Sequence, residues 1–358
     1  MKKAVSLMLA LMLLFSLTGA AGAEEDFTDG DFSFRLLEDG TAEITRYNGA
    51  AETVVIPDTL NGYTVTSLGD DAFYSCLGLT SVTVPDTVTR IRCEAFSQCS
   101  ELVSLRFGSG LKEIGPDSIS HCTSLTSLVL PDSLVSIGDS AFFGSESLSS
   151  VDFGSGVTSI GAYAFAYCPA LTEIVIPDSV TEIGPSAFTE CGGLKAVTIG
   201  SGLTAIAENT FSYCKELFAV ILGSGVTGIG DSAFDSCEKL AVIVFPDSVR
   251  TIGAYAFCDC VSLTAVTLGD GMRVIGENAF YDCESLSSLT LGSALTDIGA
   301  YAFYCCVSLT SVTVPATVTN IDDNAFYCCD GLNLTVTAGS AAERYAEENW
   351  IPYTVAEN

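Results

Sequence analysis

The residues of this 358-residue chain best equipped for chemistry are its 15 cysteines. A thiolate can attack an electrophile, hold a soft metal or pair into a disulfide. Eleven of them share one spacing: Cys76, Cys99, Cys122, Cys168, Cys191, Cys214, Cys237, Cys260, Cys283, Cys306 and Cys329 stand 23 or 46 residues apart, and Ser145 fills the one vacancy. A residue recurring once per unit has a packing role first. Cysteine is small, weakly polar and readily buried at a turn. Disulfides between neighbouring units are the second reading, because stacked Cα atoms about 5 Å apart lie within bridging range. Cys93, Cys258, Cys305 and Cys328 lie outside this column. Cys305 and Cys328 share a column of their own, one unit apart, and form the candidate pair for an exposed disulfide. A zinc site from Cys305, Cys306, Cys328 and Cys329 is disfavoured, since adjacent residues of an extended segment point opposite ways.

The single histidine, His121, lies beside Cys122 where other units carry Gln98, Glu190 or Asp259. Its column reads as surface. A Cys–His nucleophile needs a cleft and an orienting group, and the sequence indicates neither. There is no H-E-x-x-H, no P-loop and no dinucleotide fingerprint, and the Asp-rich turns lack EF-hand spacing. Catalytic residues, metal ligands and cofactors are therefore not expected.

What positions these residues is a repeat. Phe follows Ala or a similar residue at 73, 96, 142, 165, 188, 211, 234, 257, 280, 303 and 326, and Ile119 fills the gap. A constant period of this size signals a solenoid. Leu recurs at 79, 102, 125 and onward to 332, followed by alternating apolar residues such as Ile174 and Ile176. The segment L-x-x-V-x-V reads as a short strand. Pro85-Asp86 or Gly108-Ser109-Gly110 then stops it. A second apolar pair follows, for example Val88 and Ile91. One such coil cannot bury its apolar side chains alone, so successive coils must stack. About twelve coils at about 4.8 Å each predict a right-handed rod on the order of 55 Å long, with a parallel β-sheet on one face and short strands or turns on the others.

Both ends depart from the repeat, as caps must. Residues 1–23 read as an export signal: Lys2 and Lys3, the apolar run Ala4 to Leu17, and Ala21-Gly22-Ala23 at the expected cleavage point. Residues 24–66 are expected to form an N-terminal cap and a first irregular coil, with a hairpin around Asp39-Gly40. The repeats occupy 67–336. Residues 337–358 form a C-terminal cap with a short helix started by Ser340 and Glu343. Trp350, Ile351 and Tyr353 are expected to pack back on the last coil. No second long apolar run follows the signal, so a transmembrane segment in the mature chain is not expected.

Apolar residues make up 48% of the chain and charged residues 16%, which argues against disorder. Asp and Glu outnumber Lys and Arg by 44 to 14. Such a surface repels phosphate backbones and anionic lipid, which argues against nucleic acid as a partner.

The pattern L-x-x-V-x-V-P-D-S-V-T-x-I-G-x-x-A-F-x-x-C, nearly unbroken from Leu171 to Phe188, resembles the BspA-type leucine-rich repeat. The resemblance implies a leucine-rich-repeat solenoid in a secreted or surface-associated bacterial protein, with adhesion to host matrix proteins or other microbes as a recurring role. No wall-sorting signal follows the cap, so attachment by that route is not expected. The expected partner is a protein or glycan macromolecule bound by a monomer; a structural part in the cell envelope is the alternative. On the sheet, the outward column is mostly Thr toward the C-terminus but apolar in the middle, at Val175, Ile221 and Val244, with Phe218 and Val242 beside them. These five residues are the candidate binding patch. Recurrent tyrosines near the Ala-Phe turn are expected to cover the coil edge.

Overall fold

The computed structural model describes residues 26–356, so the expected export signal lies outside the described residues. Each coil of the repeat up to Ile321 supplies two short strands to two different faces. In one coil these are Glu173–Ile176 and Glu182–Ile183. Pairing is parallel at an offset of one repeat: Val175 opposes Thr198, which opposes Ile221, and Ile160 opposes Ile183. Fourteen strands line the first face among the described residues, from Thr53–Val55 to Tyr353–Val355. The strand column thus outruns the twelve Phe-column positions by Asn333–Val336 and Tyr353–Val355, which pair with each other.

Neither face is one unbroken sheet. The first face has seams after Arg106, Asp152, Ile221 and Thr290. The second has one seam, between Ile183 and Ala205. The seams are staggered. Where the first face breaks at Ile221, Gly228–Ile229 still pairs with Thr251–Ile252 on the second. Where the second face breaks at Ile183, Glu173–Ile176 still pairs with Ala196–Ile199 on the first.

The core is the set of columns read from the repeat. In one coil Leu171, Ile174, Ile176, Val180, Ile183, Ala187, Phe188 and Cys191 are all buried. The Phe rings stack along the axis, with centroids 5.3 Å apart for Phe165–Phe188 and 5.5 Å for Phe188–Phe211, nearly coplanar in orientation. Each such pair contributes about 0.5–1.5 kcal/mol beyond its buried area. Tyrosines close the stack at both ends. Tyr47 lies on Phe73 at 5.2 Å, and Tyr345 meets Phe326 edge-on at 6.2 Å while its hydroxyl accepts from the Phe326 N–H.

The Ala-Phe turn is built unusually. Every coil holds two residues in the left-handed region four positions apart, such as Tyr163 (φ 56°) and Tyr167 (φ 58°), or Ser186 and Glu190 at φ 59° each. A non-glycine side chain there costs about 1–2 kcal/mol. The compensation is visible in the hydrogen bonds. The N–H groups of Tyr163, Phe165 and Tyr167 all donate to the next coil, to Pro185, Ala187 and Thr189 carbonyls at 2.8–3.1 Å.

At the N-terminus Phe32–Leu36 and Ala42–Tyr47 pair antiparallel around Gly40 (φ 81°). Glu43 is buried there between Arg35 at 2.6 Å and Ser67 at 2.7 Å, with Arg92 3.5 Å away. A second hairpin, Thr59–Leu60 with Tyr63–Leu68, turns on Asn61-Gly62 (φ 49° and 86°) and accounts for the extra length of the first coil. At the C-terminus the helix Ala341–Glu348 starts as expected, with Glu343 N–H donating to Ser340 Oγ. Ile351 and Tyr353 pack against the core. Trp350 does not: it is 92% exposed, which corrects the expectation that it packs back. The reason is the helix end. Ile351 N–H donates to the Ala346 carbonyl and Trp350 N–H to the Glu347 carbonyl, a Schellman closure that turns Ile351 inward and Trp350 (φ 59°) outward.

Candidate binding surface

The thiol column lies inside the rod. Cys99, Cys122, Cys168, Cys191, Cys214, Cys237, Cys260, Cys283, Cys306 and Cys329 are buried, and Cys76 at the first coil is half-buried. Each of the ten buried thiols donates to the carbonyl of the Phe 26 residues earlier: Cys122 to Phe96 at 3.3 Å, Cys191 to Phe165 at 3.1 Å, Cys214 to Phe188 at 3.3 Å. Burial pushes the Cys122 and Cys191 thiols up to about 12. Thiols held protonated in this way are poor nucleophiles and poor metal ligands. Sequence reading found the column but not the hydrogen bond, since a spacing of 26 becomes meaningful only once the coils are stacked.

Cys305 and Cys328 occupy the second left-handed position of adjacent coils, at φ 53° and 62°, half exposed and unbridged. Burial first, then the hydrogen-bond contact with Cys328, raises the Cys305 thiol to about 11. Their neighbours Cys306 and Cys329 point into the core, so the four sulfurs do not converge. His121 sits exposed in the same left-handed column (φ 55°), edge-on to Phe143 at 5.4 Å.

One mixed cluster escaped sequence reading. Asp235, Cys258 and Asp259 bring a carboxylate oxygen, a thiol sulfur and a second carboxylate oxygen within 4.8 Å of one another. Cys258 Sγ donates to Asp259 Oδ2 at 3.6 Å. Burial and the surrounding carboxylates push this thiol well above its ordinary range, and burial also raises Asp235. The thiol proton therefore stays in place to serve the carboxylates. Only the lateral neighbours of the 23-residue period place these residues together, which is why the linear sequence hid them.

The tyrosines cover the coil edge in a short ladder: Tyr281 and Tyr304 stack at 4.5 Å, Tyr304 and Tyr327 at 5.6 Å.

The five patch residues all face out of the first face. Val175, Phe218, Ile221, Val242 and Val244 are between 48% and 62% exposed. Val175 and Ile221 flank Thr198 in the parallel register, and Phe218 stands at the entry to the strand Ala219–Ile221. Val242 and Val244 lie on the next coil, across the Ile221 seam. At that seam the inward Val220 is only half-buried, unlike Val197 and Ile243 in the coils on either side. Exposed Glu173 and Lys195 border the patch. Val129, also exposed on this face, is separated from the patch by Asp152.

Among the described residues no helix is long and apolar enough to cross a membrane. A comparison with curated proteins finds no match. Among solved structures, the chain is similar to a leucine-rich repeat protein from Bacteroides ovatus, at 26% identity over 93% of this chain and 100% of that one, with a TM-score of 0.64. It is similar to a leucine rich cell surface protein from Faecalibacterium prausnitzii, at 30% identity over 91% and 98% of the two chains, TM-score 0.48. It shares its fold with the pneumococcal vaccine antigen PcpA, at 18% identity over 94% and 100%, TM-score 0.56. The family description "BspA type Leucine rich repeat region (6 copies)" matches residues 66–195, 137–260 and 227–342. With that match spanning most of the rod, the chain belongs to the BspA-type leucine-rich repeat family.

Proposed function

We propose that this protein is an exported, non-enzymatic scaffold that binds a macromolecule at the outward face of its first sheet, acting as an adhesin. The observation that carries this reading is the exposure of Phe218, Ile221, Val242 and Val244 on adjacent coils, with Val175 across the intervening Thr198 coil and charge at the border. Apolar side chains gathered on an otherwise Thr-rich face are costly to leave in water and supply the centre of an interface. Membership of the family supports the extracellular location that the resemblance implies.

The test is a binding screen of residues 24–358 against extracellular-matrix proteins and microbial glycans, repeated with the Ile221→Asp, Val244→Asp double variant. Both side chains are solvent-facing, so the rod folds. Two charges placed in a desolvated interface centre cost about 2 kcal/mol or more, roughly a thirty-fold loss of affinity. Unchanged affinity in the folded double variant removes the patch from the reading. No binding from the folded wild-type rod moves the assignment to a structural part of the envelope.

A further inference from the structure

The exposed Trp350 borders a cavity of about 360 Å³ between the last coil and the C-terminal helix. Tyr327, 55% exposed, stands on its coil side. Asn324, Asp330 and Asn349 supply polar groups to its lining. The size falls at the small end of the range for small-molecule sites, roughly 300–1,000 Å³, enough for a sugar ring.

We propose that this cavity is a binding subsite for a neutral sugar, with the Trp350 indole as the stacking platform. The site goes beyond the sheet-face reading and involves none of its residues. Three observations converge. First, Trp350 is the only tryptophan of the chain, and its ring is held in solvent by the Schellman closure instead of buried. The position it occupies is left-handed (φ 59°), which fixes the direction in which the side chain leaves the helix end. Second, a pyranose presents an apolar C–H face and a rim of hydroxyls. An exposed indole and a tyrosine match the face. Amides and a carboxylate match the rim, since each amide both donates and accepts. Asn349 Nδ2 donates to the Tyr345 carbonyl at 3.0 Å and Asn324 Nδ2 to the Tyr301 hydroxyl at 3.4 Å, so the helix end orients the one side chain and the preceding coil the other before any ligand arrives. Third, Asp330 in the lining and a net charge of −30 repel anionic sugars, phosphates and carboxylates, which leaves uncharged saccharides.

A single tryptophan makes the test selective. Indole emission of residues 24–358 is followed while cello-, malto-, manno- and N-acetylglucosamine oligomers are titrated to millimolar concentration, with calorimetry in parallel. The expected result is a saturable quench or blue shift with at least one of these sugars. Calorimetric binding is lost in Trp350→Gly, falls about tenfold in Tyr327→Ala, and is unchanged in the Ile221→Asp, Val244→Asp variant. Glycine suits the left-handed position, so Trp350→Gly keeps the cap folded, which circular dichroism verifies. Unchanged indole emission and no calorimetric heat with every sugar overturn the proposal. So does sugar binding that survives in Trp350→Gly, or that disappears with the sheet-face variant instead.

Discussion

Ser145 is a natural substitution in an otherwise uniform thiol column, and Ser145→Cys should stabilise the protein. The site is fully buried, and the serine Oγ has no hydrogen-bond partner among the described residues. Its neighbours in the column do not share this defect: Cys122 reaches the Phe96 carbonyl at 3.3 Å and Cys168 the Phe142 carbonyl at 3.4 Å. A serine donor sits closer to its Cβ than a sulfur does and falls short of the same acceptor. A buried hydroxyl left without a partner costs about 1–3 kcal/mol, and sulfur in its place removes most of that cost and fills more of the space. The expected gain is about 1–2 kcal/mol. The reverse change, Cys214→Ser, removes the donor to Phe188 and should lose a similar amount. Ser145→Ala deletes the hydroxyl but leaves a smaller side chain, so its gain should fall below that of cysteine. The assay is urea unfolding under reducing conditions followed by circular dichroism. Hydrogen exchange adds a local readout, because coils interact only with their neighbours and protection should rise chiefly between residues 119 and 168. Ser145→Cys that melts no later than wild type, with Cys214→Ser equally silent, would refute the idea that the thiol column works by hydrogen bonding to the preceding coil.

Trp350→Gly should stabilise the C-terminal cap by about 1 kcal/mol, since the left-handed residue then carries no Cβ; a lower melting temperature would contradict this. Cys305 and Cys328, in contact and partly exposed, should join as a disulfide under oxidant, giving a mass loss localised to their peptides while the ten buried column thiols stay free; recovery of both as free thiols sinks the pairing. Asp235→Asn should raise the melting temperature at neutral pH. Burial raises the Asp235 pKa in the folded state, so its charge costs stability above that pKa. As pH falls through the raised pKa the wild-type carboxyl takes up its proton, and the advantage of asparagine should vanish; an advantage independent of pH refutes the cause.

The columns that build the rod could be read directly, because a residue buried once per coil must return every 23 positions, as Phe165 and Phe188 do. The outward patch was legible for the same reason: Ile221 and Val244 break a Thr column that the strand period places in solvent. Features set by lateral neighbours were not. The bond from Cys214 to Phe188, the Asp235–Cys258–Asp259 cluster and the paired left-handed residues all depend on which atoms meet between coils. Left-handed conformation usually announces itself through glycine or asparagine. Here Tyr, Glu and Ser adopt it, because donors on three alternate residues fix the turn from outside. Trp350 was misplaced because an aromatic residue near a cap is normally buried. The orientation of a Schellman closure, and not hydropathy, decides its side.

The staggered seams bear on how the rod carries load. Pull on its two ends and the tension runs along the stacking direction, in line with the coil-to-coil hydrogen bonds. A break in the first face at Ile221 would be a tear line if the second face broke at the same boundary. It does not, and the same holds at Arg106, Asp152 and Thr290. The single break at Ile183 is spanned by a four-residue strand pair on the opposite side. Like courses of brick laid with offset joints, the ladders leave no plane along which the molecule can part by losing one row of bonds. A rod built this way should yield by peeling from an end, coil by coil, before it parts in the middle.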